Sequence, residues 1–138
     1  MSTEQNKTIA RHHYQNTSNL AAAFELIAPN VVFHFPGMPP TYEGWKQAHV
    51  MFLAAFPDQH LTIEDEIAEG NTVVTRWTFR GTHQGALMGI PPTGKEVAFK
   101  GISIDRIAGG KVVEHWNNFD QLGMMQQLGV IPAPGQAA

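Results

Sequence analysis

The chain has 138 residues and a mass of 15.2 kDa, the usual size for one domain, and its 43% hydrophobic and 15% charged residues exclude a disordered chain. A net charge of −3 with nine Lys and Arg, none of them clustered, leaves no electrostatic footprint for nucleic acid or an anionic membrane surface. With no cysteine in the sequence, disulfides, thiolate nucleophiles and cysteine-ligated metal sites are excluded together, so histidine and carboxylate chemistry on a small, weakly charged molecule is what remains.

The start, MSTEQNKTIARHH, is polar and carries no secretory signal, and no apolar run approaches the roughly 20 residues of a membrane span, so a cytoplasmic address is expected. Residues 4–16 follow a helical period, with Ile9, His13 and Tyr14 near one face and Lys7 and Arg11 on another. Ser18 or Asn19 is placed to cap a second helix through Leu20, Ala23, Phe24 and Ile27, closed by Pro29 because the residue before a proline avoids the helical region. Residues 31–35, β-branched and aromatic, predict a short strand that ends at Pro36-Gly37. Residues 43–56 predict a third, largely buried helix carrying Trp45. Four long strands follow over 59–68, 71–83, 95–107 and 111–119, with short glycine turns at Gly70 and at Gly109-Gly110 and a longer proline-bearing loop over 84–94. A closing helix over 120–128 stops at Gly129, and residues 131–138 read as a loose tail.

Strands grouped apart from helices predict an α+β domain with an antiparallel sheet covered by helices on one face. Strand alternation puts Val73, Thr75, Trp77, Phe79 and His83 together, on the helix-covered side. Strict alternation through the last strand groups Val112, Glu114, Trp116 and Asn118, and Trp116 argues that this set faces inward, with Asp120 continuing it. His115, Val113 and Phe119 then face outward. Two carboxylates, Glu114 and Asp120, are thereby expected on the concave side, where an idle carboxylate would be expensive.

The run GTHQGALMGIPPTGKEVAFKGISIDRIAGGKVVEHWNNFDQLGMMQQLG, residues 81–129, closely resembles the SnoaL-like polyketide cyclases, also called ester cyclases. Residues 31–34, Phe56-Pro57-Asp58 and Ile67-Ala68-Glu69-Gly70 are similar to the same family, so the likeness spans nearly the whole chain. The resemblance implies a cone-shaped α+β barrel of the nuclear-transport-factor-2-like superfamily, shared with ketosteroid isomerase, scytalone dehydratase and limonene epoxide hydrolase. It implies an intramolecular aldol cyclisation with no metal or organic cofactor. One aspartate at the end of the last strand, here Asp120, would act as acid/base on a hydrophobic carbonyl substrate. The chain departs from the family at His13, where an aromatic or aliphatic residue is usual, and the residues assisting the aspartate have Lys100, Ser103 and Asp105 as nearest candidates.

Each candidate also has a plain structural reading. Asp120 suits a helix N-cap as well as a general base. His34 could donate to a substrate oxygen or sit satisfied at a strand edge, His83 could gate the long loop or pack on its prolines, and Glu114 could be a second acid or the partner of a cation. Tyr14, Phe33, Trp45, Trp77, Phe79, Phe99 and Trp116 are core residues that a hollow cone would make pocket wall, joined by Asn118. His12-His13 cannot share one metal ion, because adjacent helical side chains point about 100° apart. Besides a cyclase, an epoxide hydrolase, a cofactor-free hydroxylase and a non-catalytic binder remain open. The outer face, with Ala98, Ile102, Ile104, Val113 and Phe119, is expected to form a homodimer.

Overall fold

Every helix begins where a side chain can accept a backbone N–H that the helix itself leaves unpaired. In the computed structural model, which describes residues 2–132 and Gly135, Ser2 and Gln5 form a reciprocal capping box that starts α1 (Thr3–Gln15). Asn19 caps α2 (Leu20–Ala23), Thr41 caps α3 (Tyr42–Ala55) and Asp120 caps α4 (Gln121–Leu128). The five strands are β1 (Ile27–His34), β2 (His60–Glu69), β3 (Thr72–Thr82), β4 (Glu96–Ala108) and β5 (Lys111–Phe119). Gly109 and Gly110, with φ of +59° and +77°, supply the left-handed pair of a two-residue turn that joins β4 to β5 without splaying them.

The second helix is shorter than expected. It ends after one turn, and Ile27 pairs with Val112 on β5 instead of continuing the helix. Burial decides this: Ile27 and Ala28 are both buried, and Pro29 is tolerated because β1 is an edge strand whose register breaks between Ile27 and Val32.

The strands form one curved sheet in the order β1-β5-β4-β3-β2. The expectation of a purely antiparallel sheet is corrected at its edge, where β1 runs parallel to β5. A long connection through α3 and three further strands separates the two in sequence, so no hairpin constrains their direction. α1 lies across the inner face against β2 to β5, α3 packs on β1 and α4 on β4. The alternation of β3 and β4 is regular, placing Val73, Thr75, Trp77 and Phe79 beside Val97, Phe99, Ser103, Asp105 and Ile107 on that inner face. The tail expected over 131–138 lies mostly outside the described residues.

β5 does not alternate strictly, and this overturns the expected faces. Ile107 pairs with Val112 but Arg106 pairs with Glu114, so Val113 is an extra residue, a β-bulge. Past it the parity inverts. His115 is buried at 2% exposure, Asn117 and Phe119 follow it inward, and Trp116 is 37% exposed on the outside with Glu114 and Asn118. His34, which pairs with Trp116 across β1 and β5, is exposed as well.

Candidate active site

Between the inner face of the sheet, α1 and α3 lies a cavity of about 100 Å³. Phe33, Phe35, Trp45, Phe52, Trp77, Phe79, Phe99 and Phe119 form its aromatic wall, and His13, Tyr14, His49, Gln59, Ser103, His115 and Asn117 supply its polar atoms. Of the expected pocket residues, Tyr14, Phe33, Trp45, Trp77, Phe79 and Phe99 line it. Glu114, Trp116 and Asn118 do not, because the bulge turns β5 over and carries them outside, and His34 does not, because it alternates with inward-facing Phe33 on β1. His83 does not either: it is fully buried at the base of the loop over 84–94, where its Nδ1 accepts the Thr93 N–H at 3.2 Å.

The polar end is built on Asp105, at 2% exposure on the inner face of β4. A carboxylate there must be fully partnered to offset its desolvation. Tyr14 donates its hydroxyl to Oδ2 at 2.5 Å, and Nδ1 of His115, directly opposite on β5, meets Oδ1 at 2.6 Å. Burial, and then the neighbouring Asp105 charge, hold the Tyr14 phenol well above its ordinary pKa, so it stays a donor. Beside it, Trp77 donates its indole N–H to Ser103 Oγ at 2.9 Å. Gly101 makes that contact feasible, since a Cβ at that position would run into the indole ring.

His115 is held as a catalytic imidazole would need to be. Asp105 fixes the proton on Nδ1, leaving Nε2 as the basic nitrogen of a ring that lines the cavity. Trp45 stacks on it, with ring centres 4.1 Å apart and planes 19° apart. Such a pair can take a proton from a substrate carbon and return it, the carboxylate stabilising the imidazolium between the two events.

The expected base is placed elsewhere. The inward parity that argued for Asp120 fails with the bulge: its carboxylate is exposed, accepts the Gly123 N–H at 2.9 Å, and does not line the cavity. Glu114 instead bonds Arg106 at 2.7 Å and His34 at 2.8 Å on the outer face, and these partners lower its pKa, His34 first. Of the three assisting candidates, Lys100 is exposed on the outer face while Ser103 and Asp105 reach the polar end. Sequence reasoning missed His115, Asn117, Gln59 and His49. A signal for His115 existed. Counting back from the glycine turn without a bulge sets Asp105 opposite Glu114, two like charges, whereas one extra residue sets Asp105 opposite His115 and Arg106 opposite Glu114.

Comparison with known proteins bears on the family and the fold. The SnoaL-like polyketide cyclase family matches residues 7–128. The chain belongs to this family. Aklanonic acid methyl ester cyclase DnrD from Streptomyces peucetius is 31% identical over 106 residues, 76% of this chain and 72% of that one. Among SnoaL-like structures, IdmH from Streptomyces antibioticus, a candidate polyketide cyclase, is 36% identical with a TM-score of 0.79 over 91% of this chain and 99% of its own. AclR from Streptomyces galilaeus, a candidate hydroxylase, superposes with a TM-score of 0.87 at 28% identity, over 96% and 85% of the two chains. The SnoaL-like cone thus contains, among the described residues, no group of three metal-ligating side chains placed to share an ion and no helix long and apolar enough to cross a membrane.

Proposed function

We propose that the protein is a cyclase that closes a ring in a hydrophobic carbonyl compound by an intramolecular aldol reaction, with no cofactor and with His115 as general base. The observation that carries this reading is His115, bonded through Nδ1 to buried Asp105 and lining an aromatic cavity. Nε2 removes a proton from a CH2 flanked by carbonyls, the carbanion is delocalised into those carbonyls and attacks a second carbonyl carbon of the same molecule, and the resulting alkoxide takes the proton back. Atoms balance without an oxidant. The carboxamide of Gln59, whose buried Nε2 lacks a partner, is the group available to donate to the developing oxyanion. The aromatic wall folds the chain so that carbanion and carbonyl meet, an orientation effect worth up to about 7–11 kcal/mol in ideal cases.

Membership of the SnoaL-like family and likeness to a methyl ester cyclase support the reaction class. Likeness to AclR supports a second reading, hydroxylation of an aromatic polyketide, which oxygen consumption during turnover would reveal. An epoxide hydrolase of the kind considered from the sequence would need an arginine in the cavity, and Arg106 instead points outward to Glu114. The same proposal includes a homodimer through the outer face, where Val32, Ile102, Ile104 and Trp116 are exposed together.

The test compares Asp105→Asn and His115→Gln with Asp120→Asn on conjugated polyketide esters, following ring closure and exchange of substrate α-protons with deuterated water. Losses of roughly 10²–10⁴-fold in the first two and little change in the third are expected. Asparagine caps a helix about as well as aspartate, so a comparable loss in Asp120→Asn would return the base to Asp120 and sink the assignment to His115.

A further inference from the structure

Three histidines line the cavity, and each has one ring nitrogen against an oxygen that has no hydrogen to give. His13 Nδ1 lies 2.7 Å from the Ala23 carbonyl, His49 Nε2 2.6 Å from the Thr17 carbonyl, and His115 Nδ1 2.6 Å from the Asp105 carboxylate. The proton of each bond must therefore sit on the histidine. A neutral imidazole carries one such proton, so the opposite nitrogen is a bare acceptor. Burial first, and then His49, push His13 down to a pKa of about 3, and burial also lowers His49, which keeps both rings neutral at pH 7. His13 Nε2, His49 Nδ1 and His115 Nε2 make no hydrogen bond within the described residues, and the ring centres lie 5.5 Å (His13 to His49) and 6.5 Å (His13 to His115) apart.

We infer that this cavity selects a ligand ring that bears hydroxyl groups, phenolic or enolic, which donate to a cage of imidazole lone pairs; in a reacting complex His13 and His49 hold the hydroxyls and His115 Nε2 is left to the CH2. An ether or ketone oxygen in those positions would set lone pair against lone pair in a site stripped of water, which is costly. No lysine or arginine lines the cavity to reverse that preference. The rings are not placed to share a metal ion, so a hydroxyl is the partner that fits. Size adds a second limit. About 100 Å³ is of the same order as the ~150 Å³ of an engineered cavity that holds one benzene and well under the ~300–1,000 Å³ of sites enclosing a whole drug-sized ligand, so a single ring is the most it encloses. One hydroxylated ring seats among the histidines, while the rest of a larger substrate passes the half-buried Phe35, Phe52 and Phe119. The inference rests on the cavity being the substrate site of the proposed cyclase.

The test is calorimetric binding at pH 7.5 of resorcinol, 1,3-dimethoxybenzene and m-xylene, none of which can undergo the aldol reaction. Resorcinol is expected to bind at least tenfold more tightly than either of the others, and His49→Phe to cut that preference severalfold. Long-range proton–nitrogen spectra should show unprotonated nitrogens at Nε2 of His13 and His115 and Nδ1 of His49. Equal or tighter binding of the ether or of m-xylene, absence of binding by all three, or a charged imidazolium at two of the three rings overturns the cage. Because these probes do not react, a preserved resorcinol preference without turnover of carbonyl substrates would count against cyclisation and leave the cage standing.

Discussion

The layer behind the cavity's polar wall and the corner where β5 enters α4 each hold an aspartate, and the two are used in opposite ways. Asp105 is surrounded by protein and satisfied by two side-chain partners brought from α1 and β5. Asp120 is exposed and satisfied by the backbone of the helix it starts. A carboxylate at a helix start is provided for locally, so its presence needs no distant partner. One in mid-strand on a covered face is tolerable only if remote elements converge on it, and that convergence makes a site.

The sharpest way to break this comparison is to remove each carboxylate in turn. Asp105→Ala leaves the Tyr14 hydroxyl and the His115 ring without their partner and is expected to lose about 3–5 kcal/mol of stability. Asp120→Ala loses a cap, about 1 kcal/mol. Denaturant unfolding at pH 7.5 measures both, and equal losses would erase the distinction. Next in size is the acid limb. His13 titrates near 3 in the folded chain against 6.5 when unfolded, so below pH 6.5 the unfolded chain binds protons that the folded chain refuses. The stabilisation is complete above pH 6.5 and is lost as pH falls toward 3, at up to ~1.4 kcal/mol per pH unit, with His49 acting in the same direction. Tyr14 works at the other end: its raised pKa means stability falls above pH 10, where only the unfolded phenol ionises. His13→Phe should flatten the acid slope measured by unfolding at several pH values, and an unchanged slope would show that His13 is not a refused proton site. The smallest expected effect lies on the outer face, away from both aspartates. Ile104→Glu should shift a dimer toward monomer in light scattering while leaving the fold intact, and a monomeric wild type at micromolar concentration would reject the dimer.

Much of the fold was legible because its signals are local. The four long strands and the glycine turns stand in the sequence within a residue of where the structure places them, β1 begins four residues earlier than expected, and the regular alternation of β3 correctly put Trp77 and Phe79 inside. The second helix was misjudged because Ile27 is buried by β5, a partner far along the chain. The part of the site on β5 was misjudged for one reason, the register of that strand. Trp116 suggested the inner face by its size, yet it stacks on His34 in the open, with ring centres 5.0 Å apart. Asp105, weighed only as an assistant, is the buried carboxylate that holds Tyr14 and His115, and His115 had been assigned to the wrong side. Pairing chemistry across the hairpin would have corrected what hydrophobicity alone could not.

Val113 is one valine without a partner in the ladder, yet it acts as a half-wavelength shift in the alternation of β5. The same sequence paired without the bulge, with Val113 opposite Arg106 and Glu114 opposite Asp105, would have the same composition, the same turn and the same number of strands. Its interior would nevertheless receive Glu114, Trp116 and Asn118, and its exterior His115 and Asn117. The imidazole site would become an acidic one without the substitution of any residue in it. For this architecture a gain or loss of the bulge in β5 is therefore a route between chemistries, and sequences aligned by identity but out of phase at this point would describe different sites.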